Sequence, residues 1–174
     1  ILDPANAVTM SFMRGLDLSG SRQGAGGNGG ALAITIATNG THFYTYDGNG
    51  NITGLTSASD GSRSAVYDFD PFARPLRASG VVALANPLRF SCQYFDDLTG
   101  DIVYLFRRLR PSFGRWLNRD PLGEQGGRNL YAFVYNDPVN RIDLFGLWGT
   151  AVHHKIVDDW LKDPIWDKYY WRCC

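Results

Sequence analysis

The sequence has little cysteine and no surplus of charge of either sign. Its three cysteines, Cys92, Cys173 and Cys174, include no CxxC pair. An odd number without that spacing is neither a disulfide framework nor a metal-binding pattern, and it leaves the redox compartment open. Lys plus Arg and Asp plus Glu both number 17, so the formal net charge is zero. The field of the whole chain therefore does not favour binding to nucleic acid or to an anionic membrane.

Long apolar runs are also missing from the 174 residues. No stretch has the length that a transmembrane helix needs, and no basic and then apolar leader predicts a signal peptide. The chain starts at Ile1 rather than at Met, and we therefore expect a fragment of a longer protein. Its length and its 44% hydrophobic content suffice for one modest domain.

Glycine and aromatic residues are abundant, with 20 glycines and 14% aromatic residues. This combination predicts strands with aromatic faces joined by tight turns. The pair Asn39-Gly40 is a strong two-residue hairpin signal between residues 31–38 and 41–46. The second run alternates in polarity, which predicts Phe43 and Tyr44 on opposite faces of a strand.

A glycine-rich segment precedes the first of these strands. Residues 24–29, GAGGNG, formally fit the pattern G-x-G-x-x-G. In a dinucleotide site that motif follows a strand and opens a helix, whereas here it follows polar residues and precedes the β-branched run 31–38. We therefore interpret the segment as a flexible turn and not as a nucleotide site.

Short units repeat along the middle of the chain. The sequence YDGNGN at 46–51 aligns with FDPFAR at 69–74, and a looser copy covers 94–100. Regular repetition predicts stacked β-hairpins, each of which buries one face on its neighbours. The Asp and the Gly or Asn of each unit are typical turn residues.

The densest turn chemistry lies in residues 113–147. RDPLG occupies 119–123 and NDPVNRIDLFGL occupies 136–147, so each contains a carboxylate, a turn and a glycine. Residues 129–135 alternate between apolar and other side chains, which predicts a buried strand. The side chains that we interpret as core packing are Leu130, Tyr131, Phe133, Tyr135 and Trp116.

Residues 113–147 resemble the core domain found at the end of the repeat arrays of Rhs (YD-repeat) proteins. The family pattern there is similar to GRWLSRDPIG followed by GGxNLYAYVxNNPVNxxDPxGL. Residues 86–108 resemble the family run NPFRFSxKYFDxETGLYYYGYR, and the units at 46–51 and 69–74 resemble the family repeat Y-D-x-x-G-[NR]. Ala73 stands where that repeat has glycine, so a positive φ at this position would strain it.

The resemblance implies a mainly β fold, in which YD-repeat hairpins form part of a curled β-shell. The core closes the shell, and a short α-helical tail follows. The implied parts are a divergent lead-in with the Gly-rich turn and first strand at 1–40, YD-type repeats at 41–85, the core at 86–147, and the start of a variable, truncated toxin region at 148–174.

In that family the shell encloses a C-terminal toxin, and the core of many members cuts the chain after the DPxGL motif. The resemblance therefore implies cleavage between Leu147 and Trp148. It implies catalytic roles for Asp120 and Asp143, and Arg119 would hold a carboxylate by a bidentate pair. The motif-turn residues implied in the same way are Pro121, Gly123, Pro138 and Gly146.

The implied chemistry is that of an aspartyl protease. Two neighbouring carboxylates share one proton because both cannot ionise cheaply. One then acts as a base on water, and the other acts as an acid toward the carbonyl. The alternative is that Asp120 and Asp143 only shape turns. Leu144 replaces the proline of DPxGL, which predicts a looser turn at Asp143 and slow or absent cleavage.

Residues 148–174 contain four of the five tryptophans. Their apolar spacing predicts two short amphipathic helices. His154 and Asp158 lie one helical turn apart and are weak candidates for a metal pair. The alternative is a solvated first turn, since no third ligand is evident, and we predict no metal and no cofactor.

Three functions stay open. The first is the C-terminal part of an Rhs-family polymorphic toxin, which closes a β-shell around the toxin and releases it by autoproteolysis in bacterial competition. The second is the start of a truncated nuclease-type toxin after Leu147, and the third is an inactive orphan fragment with a structural or interaction role.

The resemblance also implies partners and a location. The expected partners are the missing N-terminal repeats, the C-terminal toxin, a secretion-system component and an immunity protein. We expect no nucleic acid bound by the repeats and no membrane span. The full-length family is expected to be secreted or associated with the cell surface.

Overall fold

The computed structural model describes residues 1–22 and 24–147. The predicted helical tail, the His154 and Asp158 pair and the Trp148 side of the implied cleavage site lie outside the described residues. Within the described ranges, no helix is long and apolar enough to cross a membrane.

The larger of two antiparallel sheets has six strands that neighbour one another in chain order. The sheet continues without a break across position 40, because Ala33 of the second strand pairs with Phe43 of the third. The predicted lead-in and the predicted repeats therefore share one sheet. Its strands are β1 Met10–Arg14, β2 Ala31–Ile36, β3 Gly40–Tyr46, β4 Ile52–Ser57, β5 Arg63–Phe69 and β6 Pro75–Ser79.

The hairpin predicted around Asn39-Gly40 is present, but its loop consists of residues 37–39 and not of Asn39-Gly40, because Gly40 already pairs with Ile36. Gly40 has φ 82°, the left-handed region that a tight hairpin turn requires. The predicted alternation in β3 is confirmed as well, because Tyr44 is buried while Phe43 is 51% exposed. The Tyr44 face of β3 contributes to the core of the larger sheet.

Two of the repeated units form the turns of β-hairpins, as predicted. Residues 47–51 join β3 to β4, and residues 70–74 join β5 to β6. In the first turn, Asp47 Oδ1 accepts hydrogen bonds from the backbone N–H groups of Asn49 and Asn51, both at 2.9 Å. In the second, Asp70 Oδ1 accepts from the equivalent positions at 3.0 and 2.8 Å.

Ala73 has the positive φ that its place in the repeat predicts. Its φ is 70°, and the matching Gly50 has φ 74°. This conformation brings the Cβ of an L-residue close to its own backbone, so alanine is strained where glycine is not. Ala73 is also fully buried, and its methyl group packs in the hydrophobic core that contains Trp116 and Phe133.

The smaller sheet lies in the C-terminal half and has four antiparallel strands, which neighbour one another in chain order. Four short 3₁₀ helices accompany it among the described residues, at Phe90–Cys92, Pro111–Phe113, Gly123–Gly126 and Val134–Asn136. The strands are β7 Tyr94–Asp96, β8 Asp101–Val103, β9 Arg108–Arg110 and β10 Arg115–Trp116.

Trp116 is the centre of the core beneath the smaller sheet. Its side chain is fully buried, as predicted. Its ring makes edge-to-face contacts with Tyr104 at 5.1 Å and Phe133 at 5.4 Å between centroids. Phe90 contacts Phe133 and also Phe69 of the larger sheet, so the aromatic packing is continuous between the two sheets.

The prediction of a buried strand at residues 129–135 is wrong. Val134 and Tyr135 have φ values of 41° and 56°, and these interrupt the extended backbone that an alternating strand needs. Phe133 is buried as predicted, but Tyr131 and Tyr135 are 41% and 50% exposed. The apolar alternation therefore belongs to an irregular segment that buries only part of its side chains.

Candidate active site

Asp143 forms a tight turn with the residues that follow it. Its Oδ1 accepts hydrogen bonds from the backbone N–H groups of Phe145 at 3.2 Å, Gly146 at 2.8 Å and Leu147 at 2.9 Å. Gly146 has φ 76°, and an added Cβ would lie 2.8 Å from the Cβ of Tyr104. The predicted motif turn at Gly146 is thus built on a position that only glycine fits.

Asp120 forms a similar turn. Its Oδ1 accepts a hydrogen bond from the N–H of Leu122 at 2.8 Å, and its carbonyl accepts one from Gly123 at 3.0 Å. Gly123 has φ 61°, as its predicted place in a turn requires. A Cβ on Gly126 would lie 2.7 Å from Asp120 Oδ2, so this glycine, the first of the GG pair in the family pattern, makes room for the carboxylate.

Arg107 lies between the two carboxylates. Its Nη1 is 3.0 Å from Asp120 Oδ2, and its Nη2 is 3.2 Å from Asp143 Oδ2. The three side chains are exposed by 1%, 3% and 0% respectively. The guanidinium also lies 4.3 Å from the ring centroid of Trp116, and its Nε donates a hydrogen bond to the carbonyl of Gly146.

The resemblance implies that Arg119 holds a carboxylate, but the structure places a different arginine beside the two acids. Arg119 is exposed, and none of the ion pairs within the described ranges involves it. Arg107 instead contacts both carboxylates, although it lies outside the RDPLG motif. A guanidinium presents its donors as a planar fork, so one buried arginine reaches two acids at once.

The two carboxylates meet through this cation. Each uses Oδ1 for its own turn and Oδ2 for Arg107. A proton shared directly between Asp120 and Asp143, as the sequence predicts, is absent from the described hydrogen bonds. Arg107 lies between the two acids instead, and its positive charge compensates part of the cost of burying them.

Burial dominates the electrostatics of the site. Burial raises the pKa of the Asp143 carboxyl to about 7, although Arg107 and the turn amides lower it. Burial also lowers the pKa of the Arg107 guanidinium, against the opposing effect of the two acids. Burial thus favours the protonated form of Asp143 more than that of an exposed carboxyl.

The two prolines of the predicted motif have different surroundings. Pro121 is exposed in the turn after Asp120. Pro138 lines a separate groove with a cavity volume of about 340 Å³, together with Asp70 and Phe90. Among the described residues, no group of three or more His, Cys, Asp or Glu side chains is placed to hold a metal ion.

The chain is similar to segments of bacterial toxins. It is 47% identical over 65 residues to Double-stranded DNA deaminase toxin A of Burkholderia cenocepacia, which covers 37% of this chain and 4% of that protein. It is 31% identical over 107 residues to Toxin subunit YenC2 of Yersinia entomophaga, which covers 60% of this chain and 11% of that protein. The chain thus matches only a small part of each relative's length. No protein-family model matches it.

A solved toxin structure has a similar β-rich fold. The crystal structure of TcdB2-TccC3-Cdc42 matches with a TM-score of 0.57 at 28% identity, over 62% of this chain and 5% of that chain. Together with the sequence relatives, this similarity supports a toxin-related role for the chain and agrees with its mainly β architecture.

Proposed function

We propose that the chain is the processing core of an Rhs-type toxin and cuts itself between Leu147 and Trp148. The observation that carries the proposal is the buried arrangement of Asp120, Arg107 and Asp143 beside Leu147. Asp143 Oδ1 lies 2.9 Å from the Leu147 amide nitrogen, so the carboxyl group is one residue away from the bond to be cut.

The reaction is a hydrolysis. A water molecule gives a proton to a carboxylate of the site while its oxygen bonds to the carbonyl carbon of Leu147. The bond from that carbon to the nitrogen of Trp148 then breaks, and the nitrogen receives the proton that the carboxylate took from water. The products are a carboxylate at Leu147 and an amine at Trp148. Asp143 suits this proton transfer, because its pKa lies near 7.

Arg107 acts as a positioning residue in this proposal. It holds the Oδ2 atoms of both acids and donates to the carbonyl of Gly146, one residue before the implied bond. A fixed donor set next to a reacting peptide orients it and stabilises developing negative charge without reorganisation. Of these contacts, the resemblance had implied only the holding of a carboxylate, and had given it to Arg119.

The surrounding protein follows from the same proposal. The β-hairpins of the larger sheet contribute to a shell made with further repeats, and cleavage separates this shell from a toxin that begins at Trp148. Secretion or delivery to a target cell, an immunity protein and a role in bacterial competition belong to that complete protein. The names of the relatives support this view, since both are toxins and this chain covers only a small share of each.

The test is intact-mass measurement of the purified 174-residue chain. The wild type is expected to yield a product that ends at Leu147, whereas Asp120→Asn and Asp143→Asn stay uncut. Arg107→Lys keeps a charge but loses the fork, so we expect cleavage to slow by at least ~100-fold. Arg119→Lys is the matched control and should cleave at the wild-type rate.

Folding of each variant is checked by circular dichroism. A folded wild type that stays uncut over days between pH 5 and pH 8 would reject the proposal. The core would then have a structural role only. Equal slowing by Arg107→Lys and Arg119→Lys would reject the role given to Arg107.

A further inference from the structure

We propose that residues 24–30, here called the glycine loop, hold the Asp143 turn in place, although the two segments are more than 100 residues apart in sequence. Gly26 of this loop is the positioning residue, because it lies against the carbonyl of Leu144. The link to cleavage rests on the proposed function, whereas the contact itself does not. The sequence predicts only a flexible turn here.

The glycine loop is held by one buried acid. Asp17 is 6% exposed, and its Oδ2 accepts hydrogen bonds from the N–H groups of Ala25 at 2.7 Å and Gly27 at 3.1 Å. Its Oδ1 accepts from the N–H and the hydroxyl of Ser19. The loop conformation is thus defined by charge-assisted hydrogen bonds and not left to a flexible glycine chain.

Gly26 approaches the Asp143 turn without room for a side chain. Its φ is 62°, and an added Cβ would lie 2.3 Å from the carbonyl oxygen of Leu144 and 3.4 Å from a ring carbon of Phe145. Cβ atoms in real proteins do not come within 3.0 Å of a backbone oxygen. Any residue other than glycine at position 26 must displace the Leu144 carbonyl or the loop.

The displaced carbonyl is coupled to Asp143 through one peptide unit. The C=O of Leu144 and the N–H of Phe145 belong to the same planar group, so a rotation of one rotates the other. That N–H donates to Asp143 Oδ1 at 3.2 Å. A change at Gly26 therefore reaches the carboxylate, although the two positions are far apart in sequence.

Two neighbouring glycines provide matched controls. Gly27 has φ 76°, and its added Cβ would meet only the guanidinium end of Arg14, at 2.9 Å. Gly20 has φ 73° and nothing within 4 Å. Alanine at these positions has a similar left-handed φ to Gly26→Ala and loses the same chain freedom in the unfolded state. Only Gly26→Ala meets the Leu144 backbone.

The first experiment is hydrogen exchange on the full chain, kept uncut by Asp120→Asn where cleavage requires it. We expect the amides of Phe145, Gly146 and Leu147 to exchange at least ~10-fold faster in Gly26→Ala than in Gly27→Ala. Gly20→Ala should match Gly27→Ala. Equal protection of these amides in Gly26→Ala and Gly27→Ala would overturn the proposal, whether or not the chain cleaves itself.

A second variant covers the case in which Gly26→Ala fails to fold. Asp17→Asn retains the shape of the side chain but weakens its bonds to Ala25 and Gly27. It should raise exchange at residues 145–147 in the same direction and by a smaller factor. Unchanged exchange in folded Asp17→Asn would overturn the proposal.

The pH midpoint of cleavage is a readout that general destabilisation of the fold does not shift. The turn amides lower the pKa of Asp143, so loss of their bonds should shift the pH midpoint of cleavage upward in Gly26→Ala and not in Gly27→Ala. Faster exchange in Gly26→Ala together with an uncut wild type would reject the proposed function but support the glycine loop. Faster exchange with an unchanged rate and pH midpoint would overturn its positioning role.

Discussion

The turn at Asp70 and the turn at Asp143 share a local design and differ in what surrounds it. In both, Oδ1 accepts hydrogen bonds from backbone N–H groups further along the turn. The Oδ2 of Asp70 contacts Arg74, which is 62% exposed, at 3.1 Å. The Oδ2 of Asp143 contacts Arg107, which is 1% exposed, at 3.2 Å.

Burial therefore separates two carboxylates that look alike in sequence. An exposed ion pair is screened by water and contributes little to stability. A buried one has a large desolvation cost, which the other charges and hydrogen bonds must compensate. The same Asp-containing turn shapes a hairpin at the surface, whereas in the interior it holds the acid that we propose to act in cleavage.

The largest expected difference comes from removing the two arginines. Arg107→Met leaves Asp120 and Asp143 buried without their cation, and we expect the free energy of unfolding to fall by about 3–5 kcal/mol. Arg74→Met should change it by less than about 1 kcal/mol. Urea unfolding monitored by tryptophan fluorescence measures both. A loss for Arg107→Met no larger than that for Arg74→Met would contradict the contrast.

A smaller difference is expected in the pH dependence of stability. The raised pKa of Asp143, about 7, means that the folded chain keeps a proton that the unfolded chain releases near pH ~4. The contribution of this group to the free energy of unfolding therefore decreases as pH rises from ~4 to ~7, and is constant outside that window. Asp143→Asn should remove this decrease.

Asp70→Asn is the control for the pH experiment, because it leaves Asp143 in place. Urea titrations at several pH values should show the decrease in the wild type and in Asp70→Asn, and a flatter profile in Asp143→Asn. The same slope in all three chains would show that Asp143 does not retain its proton on folding.

The smallest expected effect is at Ala73, where the hairpin turn departs from its own repeat. Ala73→Gly relieves the strain of φ 70°, but it removes a buried methyl group and adds freedom to the unfolded chain. These effects oppose one another, so the free energy of unfolding should change by less than about 1 kcal/mol. A larger loss in thermal unfolding would mean that the packing of the methyl group outweighs the strain.

Sequence reasoning was most successful where the structure is local. Short motifs predicted the existence of a hairpin around Asn39-Gly40, though not its loop length. They also predicted the hairpin turns at residues 47–51 and 70–74, and they placed Ala73 where a glycine with positive φ is expected. Each depends on backbone sterics and on bonds within a few residues, which are visible in the sequence.

Sequence reasoning failed where an apolar pattern had two possible outcomes. Residues 129–135 alternate like a strand, yet Val134 and Tyr135 have positive φ and Tyr135 is half exposed. An alternating pattern predicts that the apolar side chains of one face are buried, but it does not define the backbone conformation that buries them. The packing of Phe133 against Trp116 satisfied part of the pattern without a strand.

The site itself was half predicted. Asp120 and Asp143 lie on either side of one guanidinium, and both come from the recognised motif. Arg107 was missed because Arg119 lies next to Asp120 in sequence, and adjacency does not show which side chain is buried. A signal was available, because Arg107 stands at the final arginine of the family run that residues 86–108 resemble, directly after the apolar run 102–106.

The sequence by itself determined the mainly β character, the hairpins and the turns that present both acids, because these depend on propensities and contacts over a few residues. The tertiary structure alone decided that Arg107 joins the acids and that the glycine loop lies against Leu144. Those contacts link positions far apart in the chain. Their energies arise from burial, which exists only once both sheets have packed.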